Sequence, residues 1–194
     1  MDREEKKLDI IAKSGDIMYL KGYNATGVQE IADAAGIPKG SFYNYFKNKE
    51  QFAIELMDCY CQQGREQMAN IFKMKELSPL ARISLMFDTM IEHFTREEKF
   101  TKGSFIGNIS QEMGDMSKPI SIAAEDNYKR MVEHIKEILQ EAKEAGEIRE
   151  SLDVDKMANF MLNSKEGAMV RMKASKDSAP LRVFKDMIME LLTK

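Results

Sequence analysis

At 194 residues, with 43% hydrophobic content and only four prolines and eleven glycines, the chain has room for one or two domains and a substantial core. Its formal net charge of −3 excludes a uniformly basic coat, so any contact with nucleic-acid phosphate has to come from a local patch. The N-terminus MDREEKKLD is too charged for a secretory leader, and the longest uncharged stretch, Gly103 to Gln111, is too short to span a bilayer; both point to a cytoplasmic protein with no membrane partner.

Segments rich in Glu, Lys, Ala, Leu and Met favour helix, and few runs of Val, Ile and Thr favour strand, so the expected fold is all-α. The first explicit punctuation is Thr26 with Gln29, which reads as a capping box opening a helix at Gly27. Val28, Ile31, Ala32 and Ala35 then form one apolar stripe, and Gly36 supplies the left-handed residue that ends the helix. Pro38 suits the start of a second helix, expected from Lys39 to Phe46. Its Phe42 and Phe46 face inward with Ile37, while Lys39, Ser41, Tyr43, Asn44 and Tyr45 lie wholly or partly outward, and Gly40 leaves room for backbone to approach a duplex. Asn48 with Gln51 is a second capping box, and Lys47 and Lys49 beside that helix start make a seat for phosphate. Short helix, tight turn, short helix is the helix-turn-helix arrangement. From Gly36 to Lys49 the only charges are Lys39, Lys47 and Lys49, the local basic patch that the net charge demands.

Beyond the reading head the stops remain explicit. A long helix is expected over residues 48–73, and another from Ser78-Pro79 to about Glu98 with Leu80, Ile83, Phe87, Met90, Ile91 and Phe94 on one face. Glycines 103, 107 and 114 punctuate a shorter element, Pro119 opens a long helix ending at Gly146, Asp153 caps one through about Ala174, and Pro180 opens the last. The total is about nine helices. Cys59 and Cys61 sit two apart on a helix, about 200° around it, so they neither bridge each other nor share a metal.

The segment IIAKSGDIMYLKGYNATGVQEIADAAGIPKGSFYNYFKNKEQF resembles the DNA-binding region of the TetR family of bacterial transcriptional regulators. Gly22-Tyr23, Thr26, Ile31-Ala32, Ala35-Gly36, Gly40-Ser41-Phe42-Tyr43, Phe46 and Lys49-Glu50 all stand at the family's spacings. Gly27 departs from the family's usual Ser or Thr, and Met18 from its usual Phe. More loosely, GSFIGNISQEMG, AGEI and NSKEGAMVRMKASKDSAPL resemble the ligand-binding and dimerisation domain of one subgroup; Ser104 stands where some of its members carry an electrophile-sensing cysteine. The resemblance implies a three-helix DNA-binding domain over 1–52 and a helical ligand-binding and dimerisation domain over 53–194. Its DNA contacts would fall on Thr26, Gly27, Gln29, Lys39, Gly40, Ser41, Tyr43, Asn44, Tyr45 and Lys49.

The partners implied are a palindromic double-stranded DNA operator, a small-molecule effector and a second copy of the chain. One reading helix spans only a few base pairs, so such proteins pair to read two half-sites. The pairing surface is expected on the last two helices, at Met161, Gly167, Ala168, Met172, Leu181, Phe184 and Ile188; the same stripe would also serve packing within the subunit. Sixteen methionines suit an adaptable apolar cavity, expected between Phe87, Met90, Phe94, Phe105, Ile109, Met113, Tyr128 and Met131, with Asn108, Gln111 and Glu112 as polar orienting groups. An enzyme is disfavoured: His93 and His134 have no ligand-spaced neighbours, neither a phosphate-binding loop nor a nucleophile elbow occurs, and no cofactor or metal is implied. The function expected is a ligand-responsive repressor released from DNA by a largely apolar effector. The alternative is a helical small-molecule binder that keeps the helix-turn-helix only as scaffold.

Overall fold

The computed structural model describes residues 2–97 and 99–193, and among them every regular element is helical. In chain order these are α1 (Arg3–Lys21), α2 (Val28–Ala35), α3 (Lys39–Phe42), α4 (Lys49–Phe72), α5 (Pro79–Glu92), a π-helical turn (His93–Glu97), α6 (Phe105–Met113), α7 (Lys118–Glu144), α8 (Val154–Ser175) and α9 (Ala179–Leu192). The chain divides into two compact units. The first holds the chain up to Gln62 together with Phe105–Asn127, and the second holds Gln63–Ser104 and Tyr128 onward, so α4 and α7 each contribute to both.

In the first unit, α1 opens on a reciprocal capping box between Asp2 and Glu5. Its inward residues Ile10, Ile11 and Met18 are almost fully buried with Ile31, Ala32 and Ala35 of α2 and Phe52, Ala53, Leu56 and Met57 of α4. Phe42, Phe46 and Phe52 form an aromatic knot, their ring centroids 5.1–5.9 Å apart. Each such ring is worth about 1.5–3 kcal/mol of burial, which holds α3 on α4 where its own propensity is weak. From α6, Phe105 sets its ring edge against Tyr19 and tilted against Tyr60, and α7 adds Ile120 and Ala124. The buried Asn127 of α7 donates to Asp58 of α4, and Ser117 donates to Glu50.

The second unit packs α5, the latter half of α7, α8 and α9 around Ile83, Phe87, Phe94, Ile138, Leu139, Met161, Met169, Met172, Leu181, Phe184 and Ile188. Arg82, 1% exposed, is a charge sunk in it, and its guanidinium donates to both oxygens of Glu141 and to the carbonyl of Phe72. Arg82 first and Lys75 second hold the Glu141 carboxyl at about 2. The helix expected to reach about Glu98 leaves α geometry after Glu92 instead. The Thr95 hydroxyl donates back to the carbonyls of Ile91 and Glu92, the competition by which threonine loosens a helix.

Candidate nucleic-acid interface

The reading head is assembled by two unlike helix ends. α2 begins at Val28, one residue later than its sequence suggests, because Gly27 rather than Thr26 is its cap. The Glu30 carboxylate reaches back to accept from the Gly27 N–H at 3.1 Å while Lys21 holds it from outside. Lys21 first and that N–H second draw the Glu30 carboxyl below its usual range. At the other end Gly36 takes a left-handed φ of 67°, Ile37 donates to Ala32 and the chain reverses into α3. Pro38 is the cap of α3, and the helix is shorter than expected: α geometry stops at Phe42 rather than Phe46. Asn44 and Tyr45 then donate three residues back, to Ser41 and Phe42, so the chain tightens into 3₁₀-like turns. Glycine, serine and aromatics are weak helix formers, and the pull of Phe42 and Phe46 into the core decides the geometry.

The result is an exposed face of mixed donors and acceptors on a rigid floor. Lys39, Gly40 and Asn44 are exposed, Tyr43 is 52% exposed, and Ser41 and Tyr45 are half-buried. Space is open where a Gly40 side chain would stand. Arg3 donates to the Asn44 carbonyl at 2.9 Å, tying the end of this face to α1. Lys47 is also exposed, just ahead of α4, whose Asn48 caps the Gln51 N–H at 2.8 Å. Gln51 does not complete the box, because its amide donates to Glu55.

Four residues named from the sequence as DNA contacts already have hydrogen-bond partners within the head. Thr26 is 1% exposed, and its hydroxyl donates back to the Gly22 carbonyl. Lys49 is not a free phosphate ligand: its ammonium donates to the Tyr23 carbonyl at 2.9 Å and the Thr26 carbonyl at 3.0 Å, lying 4.1 Å over the Tyr23 ring. Gln29, though exposed, donates its amide to Asp33. Gly27 is exposed, but its N–H belongs to Glu30.

The corner joining α1 to α2 is held from a second side. The carboxylate of Glu112, in the last turn of α6, accepts the Tyr23 N–H at 2.7 Å and the Asn24 N–H at 2.6 Å. Its approach requires glycine at position 22, where φ is +89° and a Cβ would stand 2.8 Å from the Glu112 oxygen. Burial first, then the carboxylates of Glu50 and Glu112, push the Tyr23 phenol above its usual range. Sequence reasoning grouped Glu112 with Asn108 and Gln111 as ligand-orienting groups. Nothing in the local sequence ties a glutamate to a corner 88 residues earlier in the chain.

The remaining expected sites are redistributed. Phe87 and Phe94 lie in the second unit's core with Met90, Tyr128 and Met131 packed against it, whereas Phe105, Ile109 and Met113 are buried in the first unit. A shallow cleft of about 300 Å³ in the second unit is lined by other residues, among them Arg149, Asp153, Lys156, Met157 and Phe160. Of the residues expected to pair two copies, Met161, Ala168, Met172, Leu181, Phe184 and Ile188 are at most 9% exposed and belong to the subunit's own core; Gly167 alone is exposed. The apolar side chains that α8 and α9 turn outward are Phe160, Val170, Val183 and Met187. Among the described residues no cluster of His, Cys, Asp and Glu could hold a metal, Cys59 is half-buried and Cys61 buried, and no helix is long and apolar enough to cross a membrane.

Residues 10–56 match the family pattern of bacterial regulatory proteins of the tetR family, and residues 79–188 that of the tetracyclin repressor-like C-terminal domain. The chain is 28% identical to the HTH-type transcriptional repressor DhaR of Mycobacterium sp. (strain GP1), covering 99% of this chain and 94% of that one. It is 34% identical to the transcriptional regulator AcuR of Cereibacter sphaeroides over 84% of this chain and 74% of that one. A crystal structure of a regulatory protein TetR from Rhodobacter sphaeroides superposes with a TM-score of 0.88 at 30% identity, covering 96% and 98% of the two chains.

Proposed function

Because the chain belongs to the TetR family of bacterial transcriptional regulators, and so is a ligand-responsive DNA-binding regulator rather than an enzyme, we propose that it is a dimeric repressor of a palindromic operator. The observation that carries the DNA assignment is the outer face of α3 and the turns that follow it: Lys39, Tyr43 and Asn44 exposed, Ser41 and Tyr45 half-buried, all on a buried aromatic floor, flanked by Lys47 and free of carboxylates from Gly36 to Lys49. Serine, asparagine and tyrosine donate and accept, as base edges require, and the lysines meet phosphate. Thr26 and Lys49 hold the head together instead of touching DNA, while the exposed Gln29 and Gly27 remain candidate contacts. Two copies meet through α8 and α9, whose Phe160, Val170, Val183 and Met187 are each about half or more exposed and offer apolar side chains for a second copy to cover. A protein that reads the chromosome acts in the cytoplasm.

The effector belongs in the second unit, against Phe87, Met90, Phe94, Tyr128 and Met131, where methionine and aromatic surface suit an apolar compound. Its binding lowers operator affinity by favouring a head spacing that no longer matches two half-sites. A coupling of about 1–3 kcal/mol changes affinity roughly 5- to 150-fold, enough for a switch. The test is fluorescence anisotropy with DNA flanking the gene. Sequence-preferring, salt-sensitive binding by two protomers supports the proposal, and equal affinity for random duplex refutes it.

A further inference from the structure

We propose that Glu112 is a positioning residue of the DNA interface: the carboxylate that α6 delivers to the Gly22–Tyr23–Asn24 corner sets the register in which the helix-turn-helix is presented. This rests on α3 being the DNA reader, as argued above. The corner is suspended between two charges. Its N–H groups at Tyr23 and Asn24 go to Glu112, and its carbonyls at Tyr23 and Thr26 go to Lys49. Lys49 lies within the head's own stretch of chain, but Glu112 does not. The residues that match the DNA-binding pattern, 10–56, therefore leave two corner donors to be satisfied by α6. Those donors sit where α1 ends, and the direction in which the chain leaves α1 fixes α2 and, through the Gly36 reversal, α3. Two N–H groups converging on one carboxylate, with a glycine cleared to admit it, define a single geometry. Withdrawing the carboxylate leaves that geometry underdetermined without touching any DNA-facing side chain.

Glu112→Gln keeps the size but replaces one accepting oxygen by an NH₂ group that opposes an N–H, and Glu112→Asp withdraws the carboxylate by one methylene. Both full-length variants are compared with the wild type on two duplexes, one selected by the wild-type protein from a random-sequence pool and one scrambled from it. Salt dependence and urea unfolding are measured on the same preparations. The expected result is that Glu112→Gln loses about tenfold or more of the preference for the selected duplex, with an unchanged salt slope because no phosphate contact is lost. Glu112→Asp falls between it and the wild type. An unchanged preference per active protein in Glu112→Gln, with only the unfolding midpoint lowered, overturns the proposal and leaves Glu112 as packing. A wild type that fails to prefer the selected duplex overturns the DNA reading itself.

Discussion

Replacing Lys49 by methionine separates a lysine that builds the head from one that binds DNA. The ammonium makes two hydrogen bonds to main-chain carbonyls, at 2.9 and 3.0 Å, and a contact 4.1 Å over the Tyr23 ring. Charged hydrogen bonds are worth about 1.5–3 kcal/mol each and an exposed cation–π contact about 0.5–1. The site is only partly buried and water replaces some of what is lost, so the net cost is about 2–3 kcal/mol, while methionine keeps the packing of the lysine stem. In urea unfolding Lys49→Met should lose that amount. In anisotropy titrations over a range of salt its slope of log K against log salt should match the wild type, since each phosphate contact adds about 0.9 to that slope. Lys47→Met is the mirror image: stability within about 0.5 kcal/mol, and a slope reduced by about one. A Lys49→Met protein with full stability and a slope reduced by about one would show the ammonium on phosphate and refute the corner clamp.

Ser41→Ala or Asn44→Ala should alter which duplexes are preferred, by about 1–3 kcal/mol per base pair read, and leave the salt slope alone; competition among single-base operator variants measures it. Val183→Glu with Met187→Glu should dissociate the dimer in sedimentation and lose operator binding while each subunit stays folded, since both side chains are exposed. A dimer that persists would move the pairing face elsewhere. The Glu141 carboxyl titrates at about 2 in the folded chain and near 4.5 when unfolded, so its pair with Arg82 stabilises the fold above pH 4.5 and loses that contribution as the pH falls toward 2. With 38% of the Glu141 side chain exposed, the effect is roughly 1–2 kcal/mol, read as a flatter acid limb of stability in Glu141→Gln.

Local signals recovered the helices, because caps, glycines and apolar spacing act within a few residues. Asp153 caps α8, Pro79 begins α5 and Gly36 ends α2, as their spacings suggest. What escaped were choices between equivalent partners. Thr26 and Gly27 both precede a residue able to cap α2, and only the burial of Thr26 against Gly22 decides between them. On α8 and α9 two apolar stripes lie side by side, and periodicity does not say which one the subunit's core takes; Met161, Leu181 and Phe184 went inward and Phe160, Val170 and Val183 outward. A lysine beside a helix start has the same pattern whether it meets phosphate or a carbonyl, and at Lys49 the nearby corner takes it. The pairing of Glu112 with Tyr23 depends wholly on tertiary structure.

The most direct test of the whole account is the salt-dependent anisotropy of the wild-type protein on duplex DNA flanking its gene, beside a scrambled duplex of equal length. The account predicts a preference of at least about 10³-fold for one segment, two protomers bound per site, and a steep loss of affinity with added salt. Binding that ignores sequence, or saturates at one protomer, would contradict it.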